Sequence, residues 1–301
     1  MVSVMQHVGK WLLAKDFNAI LVALVAMLLP LFVSTGLGSL VVSVVVALVT
    51  LSKGSRSGLI LLVWLVLPTL ALLWLGKIGI EDSLFIHCVL IWLLASVLRS
   101  QGSWRLIFEV AVVISILIIV VFHVLYPDLA NRWREILSPA LHAFLDETNI
   151  ALSAHEISRV LDYWVPVASG LLASKSLLLV IAELMLARYW QSALFRPGAF
   201  YKEFLRIKTG RPLVYVLLLA IVLSLFKIAV IIDCLPVLVL PLVFSGLSVF
   251  HGWLSVTIKS ALVLLFFYII ALFLMQFVIL FLAIVGFVDV WVDFRRRFLT
   301  S

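Results

Sequence analysis

Three ionisable side chains lie inside long apolar stretches of the sequence, where a charge is costly. Lys175 occurs in SGLLASKSLLLV, His251 in SGLSVFHGW and Asp289 in GFVDVWVDF. In such surroundings a charged group must pair, reach water or lose its charge, and the three together could bind a solute or carry a proton. The sequence therefore predicts a polar site formed by these residues. The alternatives are a structural ion pair for Lys175 and a hydrogen-bonded packing role for His251.

Two glycines flank His251 and belong to the same predicted site. Gly246 and Gly252 would let another backbone approach closely, as small residues do where membrane helices pack. The predicted polar site thus has five candidate ligand-binding residues, three ionisable ones and two glycines.

The segment after Asp289 predicts a C-terminal anchor at the membrane surface. Asp293 and Arg297 are four residues apart, with the acid first, which is the favourable order for an ion pair on a helix. Arg295 and Arg296 add two further cations, and an interfacial tryptophan at 291 completes the pattern.

The stretch RYWQSALFRPGAFYKEFLRIKTGR, residues 188–211, concentrates charge in a chain that has little. It contains six of the 22 Lys and Arg residues and one acid, Glu203. Pro197 and Gly198 predict a turn, and the residues after the turn predict a short basic amphipathic helix with aromatic side chains on one face. Each cation near anionic lipid contributes about 1 kcal/mol, so this loop is expected to lie on anionic headgroups.

The composition determines which elements must position these residues. Of the 301 residues, 65% are hydrophobic and 12% are charged, which excludes an ordinary soluble domain. Apolar runs long enough to cross a bilayer as helices recur, and the alternating ten-residue strands of a barrel are absent. The sequence predicts an all-α, polytopic helical membrane protein with eight or nine hydrophobic helices. The predicted spans are 17–34, 37–52, 59–76, 83–99, 104–125, 165–187, 212–232, 235–257 and 261–288.

Charge predicts three segments and an orientation. An N-terminal bundle, 1–125, precedes an acidic connection, 126–164, and a C-terminal bundle, 165–301, that contains the basic loop 188–211. The connection carries six acids against three arginines, so the positive-inside rule places it outside and the N-terminus and basic loop in the cytoplasm. Ser153 and Glu156 fit a capping box at the start of an amphipathic helix in the external connection.

Two other local patterns refine this topology. Ser138 followed by Pro139 predicts a helix start within the connection. Pro236 and Pro241 predict that 235–257 is a re-entrant pair of short helices broken near Gly246, which leaves the C-terminal arginines cytoplasmic.

Motifs of soluble enzymes do not occur, and two cysteines are too few for a metal cluster. We therefore predict a protein that is not an enzyme, with no cofactor and no metal. The net charge of +7 is interpreted as contact with anionic lipid headgroups, with no nucleic acid as a partner. A membrane or cytoplasmic protein partner is a further expectation.

Three segments, LARYWQSALFRPGAFYKEF, GLSVFHGW and GFVDVWVDFRRR, resemble the YybS-like family of predicted bacterial membrane proteins, a domain of unknown function. The resemblance covers mainly residues 165–301. In the first segment its matching positions are Arg188, Trp190, Gln191, Pro197, Gly198, Phe200 and Glu203. The resemblance implies a multi-pass protein of the bacterial inner membrane and supplies no reaction.

The leading functional hypothesis is a component that binds or transports a small solute or lipid. The alternative is a non-catalytic scaffold whose loop 188–211 docks a cytoplasmic partner or anionic lipid. An intramembrane enzyme with His251 and Asp289 as acid and base is the least favoured hypothesis.

Overall fold

The structure is a computed structural model that describes residues 2–28, 35–76, 84–257 and 261–295. These residues form α-helices and short turns, which confirms the predicted all-α class. The chain divides into two compact units, residues 1–107 with 178–206 and residues 108–177 with 207–301. The described residues contain fourteen α-helices, which in chain order are α1 Val2–Ala14, α2 Asp16–Leu28, α3 Thr35–Lys53, α4 Ser55–Trp74, α5 Leu84–Gln101, α6 Trp104–Leu125, α7 Leu129–Thr148, α8 Ala154–Trp164, α9 Ala168–Phe195, α10 Ala199–Phe204, α11 Arg211–Ser224, α12 Ala229–Thr257, α13 Ala261–Phe273 and α14 Met275–Val292.

Six helices of the described chain are long and apolar enough to cross a membrane, or seven if the pair α1 and α2, bent by 111°, forms one span. One of the six is the run Ala154–Phe195, in which α8 and α9 are joined by a 3-10 turn. The predicted count of eight or nine is not confirmed. Helices such as α11, with 14 residues, are about 21 Å long at 1.5 Å per residue, which is shorter than the roughly 30 Å hydrocarbon core.

In the first unit, α3 is the central helix. It packs against α2, α4 and α5, and the side chains from Val42 to Leu51 are all buried. Most of these are Val, Ala and Leu, so the helix is apolar on every side, which is typical of a helix enclosed by others. The carbonyl of Leu51 lies in the last turn of α3, where carbonyl groups have no partner within the helix.

In the second unit, α12 is one continuous helix, so the prediction that 235–257 is broken was wrong. Pro236 and Pro241 lie inside this helix. The chain breaks earlier, at residues 225–228, where Lys227 has a left-handed φ of 55°. Proline within a membrane helix is tolerated, and α12 continues through both prolines. Thr209 Oγ1 donates to the Pro241 carbonyl at 2.9 Å.

The predicted span 261–288 is also divided. Residue Leu274 interrupts it between α13 and α14, and only α14 meets the length needed for crossing. The most extensive helix contact of the described chain joins α12 to α14. Gly246 and Gly286 lie in this contact, where an added Cβ would approach the backbone oxygens of Leu282 and Leu242 to about 2 Å (1.9 Å and 2.0 Å).

The acidic connection is helical. Its first helix, α7, begins at Leu129 and has Pro139 in its interior, so the predicted helix start at Ser138 was wrong. The predicted capping box is confirmed, because Ser153 N donates to Glu156 Oε2 at 2.8 Å and Glu156 N donates to Ser153 Oγ at 3.3 Å.

Candidate functional site

An arginine-lined cleft of about 320 Å³ lies in the first unit, where α3, α5, α9 and α10 come together. Helix α9 extends eight residues beyond its predicted end at 187, to Phe195, and therefore places several side chains of the basic stretch on one helical face at i, i+3, i+4 and i+7. The lining residues are Leu51, Ser52, Arg99, Arg188, Gln191, Ser192, Phe195, Arg196, Ala199 and Glu203.

Arg188 fixes the geometry of one wall of the cleft. Its Nε donates to Glu203 Oε2 at 2.9 Å and its Nη2 donates to Oε1 at 2.7 Å, which is the two-point geometry that a guanidinium forms with a carboxylate. Its Nη1 donates to Gln191 Oε1 at 2.6 Å. These bonds hold α10 against the end of α9.

The backbone carbonyl of Leu51 accepts hydrogen bonds from two side chains that line the cleft. Gln191 Nε2 donates to it at 2.8 Å, and Arg99 Nη1 donates to the same oxygen. Cations and amide donors are favourable there because the unpaired carbonyls at a helix C-terminus carry partial negative charge. The residue types that the sequence concentrates in one loop thus meet the ends of α3 and α5.

The turn between α9 and α10 is held by Ser192. Its hydroxyl donates to the Arg196 carbonyl at 2.8 Å and accepts the Phe200 N–H at 3.1 Å. Gly198 has a φ of +84°, a conformation that glycine adopts without strain, and it follows Pro197 as the predicted turn requires. The Phe200 ring packs edge-on against Trp104 and Tyr189.

Trp190 points away from the cleft and contacts α1. Its Nε1 donates to the Met5 carbonyl at 2.9 Å, and Gln6 Nε2 donates to the Ala193 carbonyl at 3.0 Å. The structure therefore uses the predicted loop residues in two ways, some to line the cleft and Trp190 to attach the first helix.

The charge of the cleft favours an anion. It contains Arg99, Arg188 and Arg196 against the single acid Glu203. Arg196 is exposed, and its side chain has no hydrogen-bond or ion-pair partner among the residues that the structure describes. Its guanidinium therefore has its donors available, and a guanidinium binds phosphate or carboxylate groups through two parallel bonds.

The predicted site residue Asp289 lies in a separate buried cluster of the second unit. Its Oδ2 accepts Arg295 Nε at 3.0 Å, while Arg295 Nη1 and Nη2 donate to the hydroxyls of Ser248 at 3.1 Å and Ser245 at 3.2 Å. Asp289 is 0% exposed and Arg295 is 4% exposed. Burial lowers the pKa of the Arg295 guanidinium, and the Asp289 carboxylate opposes that shift. This cluster satisfies its own members, as a structural ion pair does.

The predicted C-terminal anchor differs from the structure at Asp293. Helix α14 ends at Val292, and Asp293 has a left-handed φ of 51°, so Asp293 does not lie within the helix as predicted. Asp293 instead accepts Lys208 Nζ at 3.0 Å. Arg296 and Arg297 lie outside the described residues.

Lys175 and His251 do not meet Asp289. His251 Nδ1 lies 2.9 Å from the Leu247 carbonyl, so this nitrogen carries the hydrogen, and Nε2 accepts the Tyr268 hydroxyl at 3.1 Å. Lys175 is exposed and makes no hydrogen bond or ion pair within residues 2–28, 35–76, 84–257 and 261–295. Gly252 is buried in α12. A shared ligand site of these residues stays a prediction.

Sequence reasoning missed two carboxylates that meet histidines inside apolar helices. Glu183 Oε2 lies 2.6 Å from His87 Nε2 in the first unit. In the second unit Asp233 Oδ2 lies 3.8 Å from His123 Nε2, and its Oδ1 accepts the Gly170 N–H at 2.6 Å. No local spacing indicates either pair, since the partners are about 100 residues apart, and the only available signal was an ionisable residue within an apolar run.

Comparisons with known proteins add no relative. A scan against protein-family models finds no match, and searches of the curated proteins and of the solved structures find none either. The resemblance of residues 165–301 to the YybS-like family therefore stays a prediction. Among the described residues no group of three His, Cys, Asp or Glu side chains is placed to hold a metal ion.

Proposed function

We propose that this multi-pass protein is a binding or transport component of the bacterial inner membrane that holds a small solute or a lipid through an anionic group. The observation that carries the proposal is the cleft of about 320 Å³ with three arginines and one glutamate. That volume is at the lower end of the range for small-ligand pockets, about 300–1,000 Å³, and suits a phosphate-bearing group.

The arrangement of donors supports an anionic ligand. Arg188 is already bonded to Glu203 and Gln191, so it acts as a fixed wall. Arg99 uses one nitrogen on the Leu51 carbonyl, and Arg196 has no side-chain partner in the described parts of the chain. Two guanidinium groups with available donors at the end of membrane helices match a phosphate, whether it belongs to a lipid headgroup or to a dissolved molecule.

The positive charge of residues 188–211 predicts the orientation of the protein in the membrane. With six cations in residues 188–211, the positive-inside rule places the cleft and the N-terminus on the cytoplasmic side. We propose no catalytic role, because His251 and Asp289, the predicted acid and base, are each bonded to other groups and do not contact each other.

A scaffold that docks a cytoplasmic protein is the second candidate function. It is favoured by the outer face of α10 and the turn that follows it, where Tyr201, Lys202 and Arg206 are exposed. That face and the cleft contain different residues, so substitutions can separate the two functions.

Binding is tested with purified protein in nanodiscs. One arm compares phosphatidylglycerol with phosphatidylcholine in phosphate-free buffer, and the second adds inorganic phosphate to phosphatidylcholine discs. Arg196→Gln is expected to weaken anion retention about fivefold, which corresponds to about 1 kcal/mol for one cation. The matched control is Arg206→Gln, which removes an exposed arginine outside the cleft.

The outcomes separate the candidates. Weaker anion retention in Arg196→Gln but not in Arg206→Gln supports binding in the cleft. The arm in which the retention weakens identifies a lipid or a dissolved anion as the source of the phosphate. Equal, small losses with both variants support a diffusely charged docking surface. Unchanged retention in both variants and both arms contradicts the proposal.

A further inference from the structure

His87 and Glu183 form a close polar contact between two apolar helices of the first unit. His87 lies on α5 and Glu183 on α9, and 2.6 Å separates Nε2 from Oε2. The Glu183 side chain is 8% exposed, whereas the His87 side chain is 23% exposed, so the protein does not enclose the imidazole ring completely. A separation this short requires a hydrogen between the two atoms.

The pair lies deep relative to the arginine-lined cleft. Glu183 precedes Gln191 by eight residues on α9, which is about 12 Å at 1.5 Å per residue. His87 precedes Arg99 on α5 by 12 residues, or about 18 Å. Both helices belong to the segments that are long and apolar enough to cross the bilayer. The pair is therefore within the spanning part of the unit.

Few other groups in the described chain can set the charge of this pair. Cys88 on α5 is buried and lies near Glu183. Of the charged side chains on α3, α4, α5 and α9, Lys53, Arg56, Arg99 and Arg188 lie towards the cleft. Lys175 lies on the other side of the pair, eight residues before Glu183 on α9, which is about 12 Å at 1.5 Å per residue. No fixed cation thus contacts Glu183 among the described residues, and its bonded partner is a group that itself titrates.

Asp233, a buried carboxylate of the second unit, contacts a histidine as well but has a fixed donor in addition. Asp233 accepts the backbone N–H of Gly170 at 2.6 Å, and Gly170 has no room for a side chain because an added Cβ would lie 1.7 Å from the Asp233 carbonyl oxygen. A backbone donor cannot lose its proton at ordinary pH. The donor that Glu183 has is the imidazole of His87, and a neutral imidazole can take up a second proton.

We propose that His87 and Glu183 are a proton-binding site within the membrane-spanning part of the first unit. In the deprotonated state the neutral imidazole donates Nε2–H to the carboxylate, and the pair carries one negative charge. A proton from water adds to the Nδ1 lone pair and gives an imidazolium–carboxylate pair of zero net charge. Release of that proton to water restores the first state. This exchange does not depend on what the arginine-lined cleft binds.

The apolar surroundings of the pair favour one of its two protonation states. An ionised side chain within a membrane helix is costly, so the protonated pair, which has no net charge, is the form that the apolar surroundings favour. The two groups interact strongly at this distance, so their protons leave in steps that belong to the pair.

Infrared spectroscopy of the full-length protein in lipid tests the proposal. Spectra of wild type, His87→Gln and Glu183→Gln are recorded between about pH 5 and pH 9, a range that brackets the ordinary histidine pKa of about 6.5. The wild-type minus His87→Gln difference contains the ring bands of His87, which are expected to change from the neutral imidazole to the imidazolium form as the pH falls, while the Glu183 carboxylate band persists. In Glu183→Gln the imidazolium loses its anionic partner, so the ring bands should change at a lower pH than in wild type.

Asp233→Asn serves as the control, since it removes a buried carboxylate of the other unit and should leave the change in the His87 ring bands in place. Both glutamine replacements keep a hydrogen-bonding amide, and thermal unfolding in detergent verifies that they fold. A His87-dependent difference spectrum that stays constant over the whole pH range overturns the proposal, as does a change in the ring bands that Glu183→Gln leaves at the same pH.

Discussion

Gly246 on α12 and Gly286 on α14 lie against each other, and a Cβ added to Gly286 would stand 2.9 Å from the Gly246 nitrogen and 2.0 Å from the Leu242 carbonyl oxygen. Glycine at both positions lets the two backbones approach closely, and small residues of this kind permit van der Waals packing between membrane helices. Gly246 was a candidate ligand-binding residue, and its observed contact is with another helix.

Gly246→Ala should therefore destabilise the second unit. The new Cβ would lie 1.9 Å from the Leu282 carbonyl oxygen, and the clash is with backbone, which cannot rotate away. We expect a loss of about 1–3 kcal/mol, the usual cost of overpacking, measured by unfolding in mixed detergent. Val288→Ile is the control, because it adds a methyl group to an exposed position of the same helix pair. Equal stability of both variants would contradict the close contact.

The buried pair Asp289–Arg295 gives a second stability prediction. Asp289→Asn removes the carboxylate and leaves a guanidinium that is 4% exposed without its counter-charge. Removing one partner of a buried pair costs about 3–5 kcal/mol, measured by the same unfolding assay. Asp293→Asn is the matched control, since Asp293 pairs with Lys208 where both side chains are about one-third exposed (32% and 34%), and such pairs contribute about 0–1 kcal/mol. A smaller effect for Asp289→Asn than for Asp293→Asn would refute a stabilising role of the cluster.

Arg188→Lys should loosen α10 without removing a charge. An ammonium cannot reproduce the two bonds to Glu203 together with the bond to Gln191. Charge-assisted hydrogen bonds contribute about 1.5–3 kcal/mol, so local opening should rise at least about tenfold. Limited trypsin cleavage after Lys202 or Arg206 reports this opening. Arg206→Lys, at an exposed position, should leave the cleavage rate near that of wild type, and the prediction fails if the two variants behave alike.

The proposed orientation is tested by cysteine labelling. Residues 126–164 and 188–211 are expected on opposite sides, because the first carries six acids against three arginines and the second six cations against one acid. His155→Cys and Arg206→Cys both replace exposed side chains, and the native Cys88 and Cys234 are buried, so background labelling is low. A membrane-impermeant maleimide should label His155→Cys in intact cells and Arg206→Cys only after lysis. Labelling of both from one side would refute the orientation.

Local patterns predicted the helical class and the capping box, because both depend on neighbours in sequence. The positions of helix ends were less predictable. The sequence is mostly apolar on both sides of Lys227 and of Leu274, so hydropathy does not indicate the helix ends at these residues. Conversely, Pro236 and Pro241 indicated a break, but α12 is continuous through both prolines and packs extensively against α14.

The candidate site was predictable in its residues and not in its partners. The basic stretch identified Arg188, Gln191 and Glu203, which do meet, while Arg99 and the Leu51 carbonyl come from helices far away in sequence. Likewise, nothing in the spacing of His87 and Glu183 pairs them across 96 residues. Which side chains of different helices come into contact depends on how the whole unit packs, and local patterns in one sequence do not indicate that packing.

The bond from Trp190 to the Met5 carbonyl has a consequence for biosynthesis. It joins residues 185 apart, and Gln6 and Leu51 are bonded to the same end of α9. The first unit includes residues 1–107 and 178–206. Its early helices therefore lack their contacts with α9 while seventy residues of the second unit, 108–177, are synthesised. Insertion of helices and completion of the fold are therefore separate events for this unit, and ribosome-bound chains that stop before α9 should expose surfaces that attract membrane chaperones.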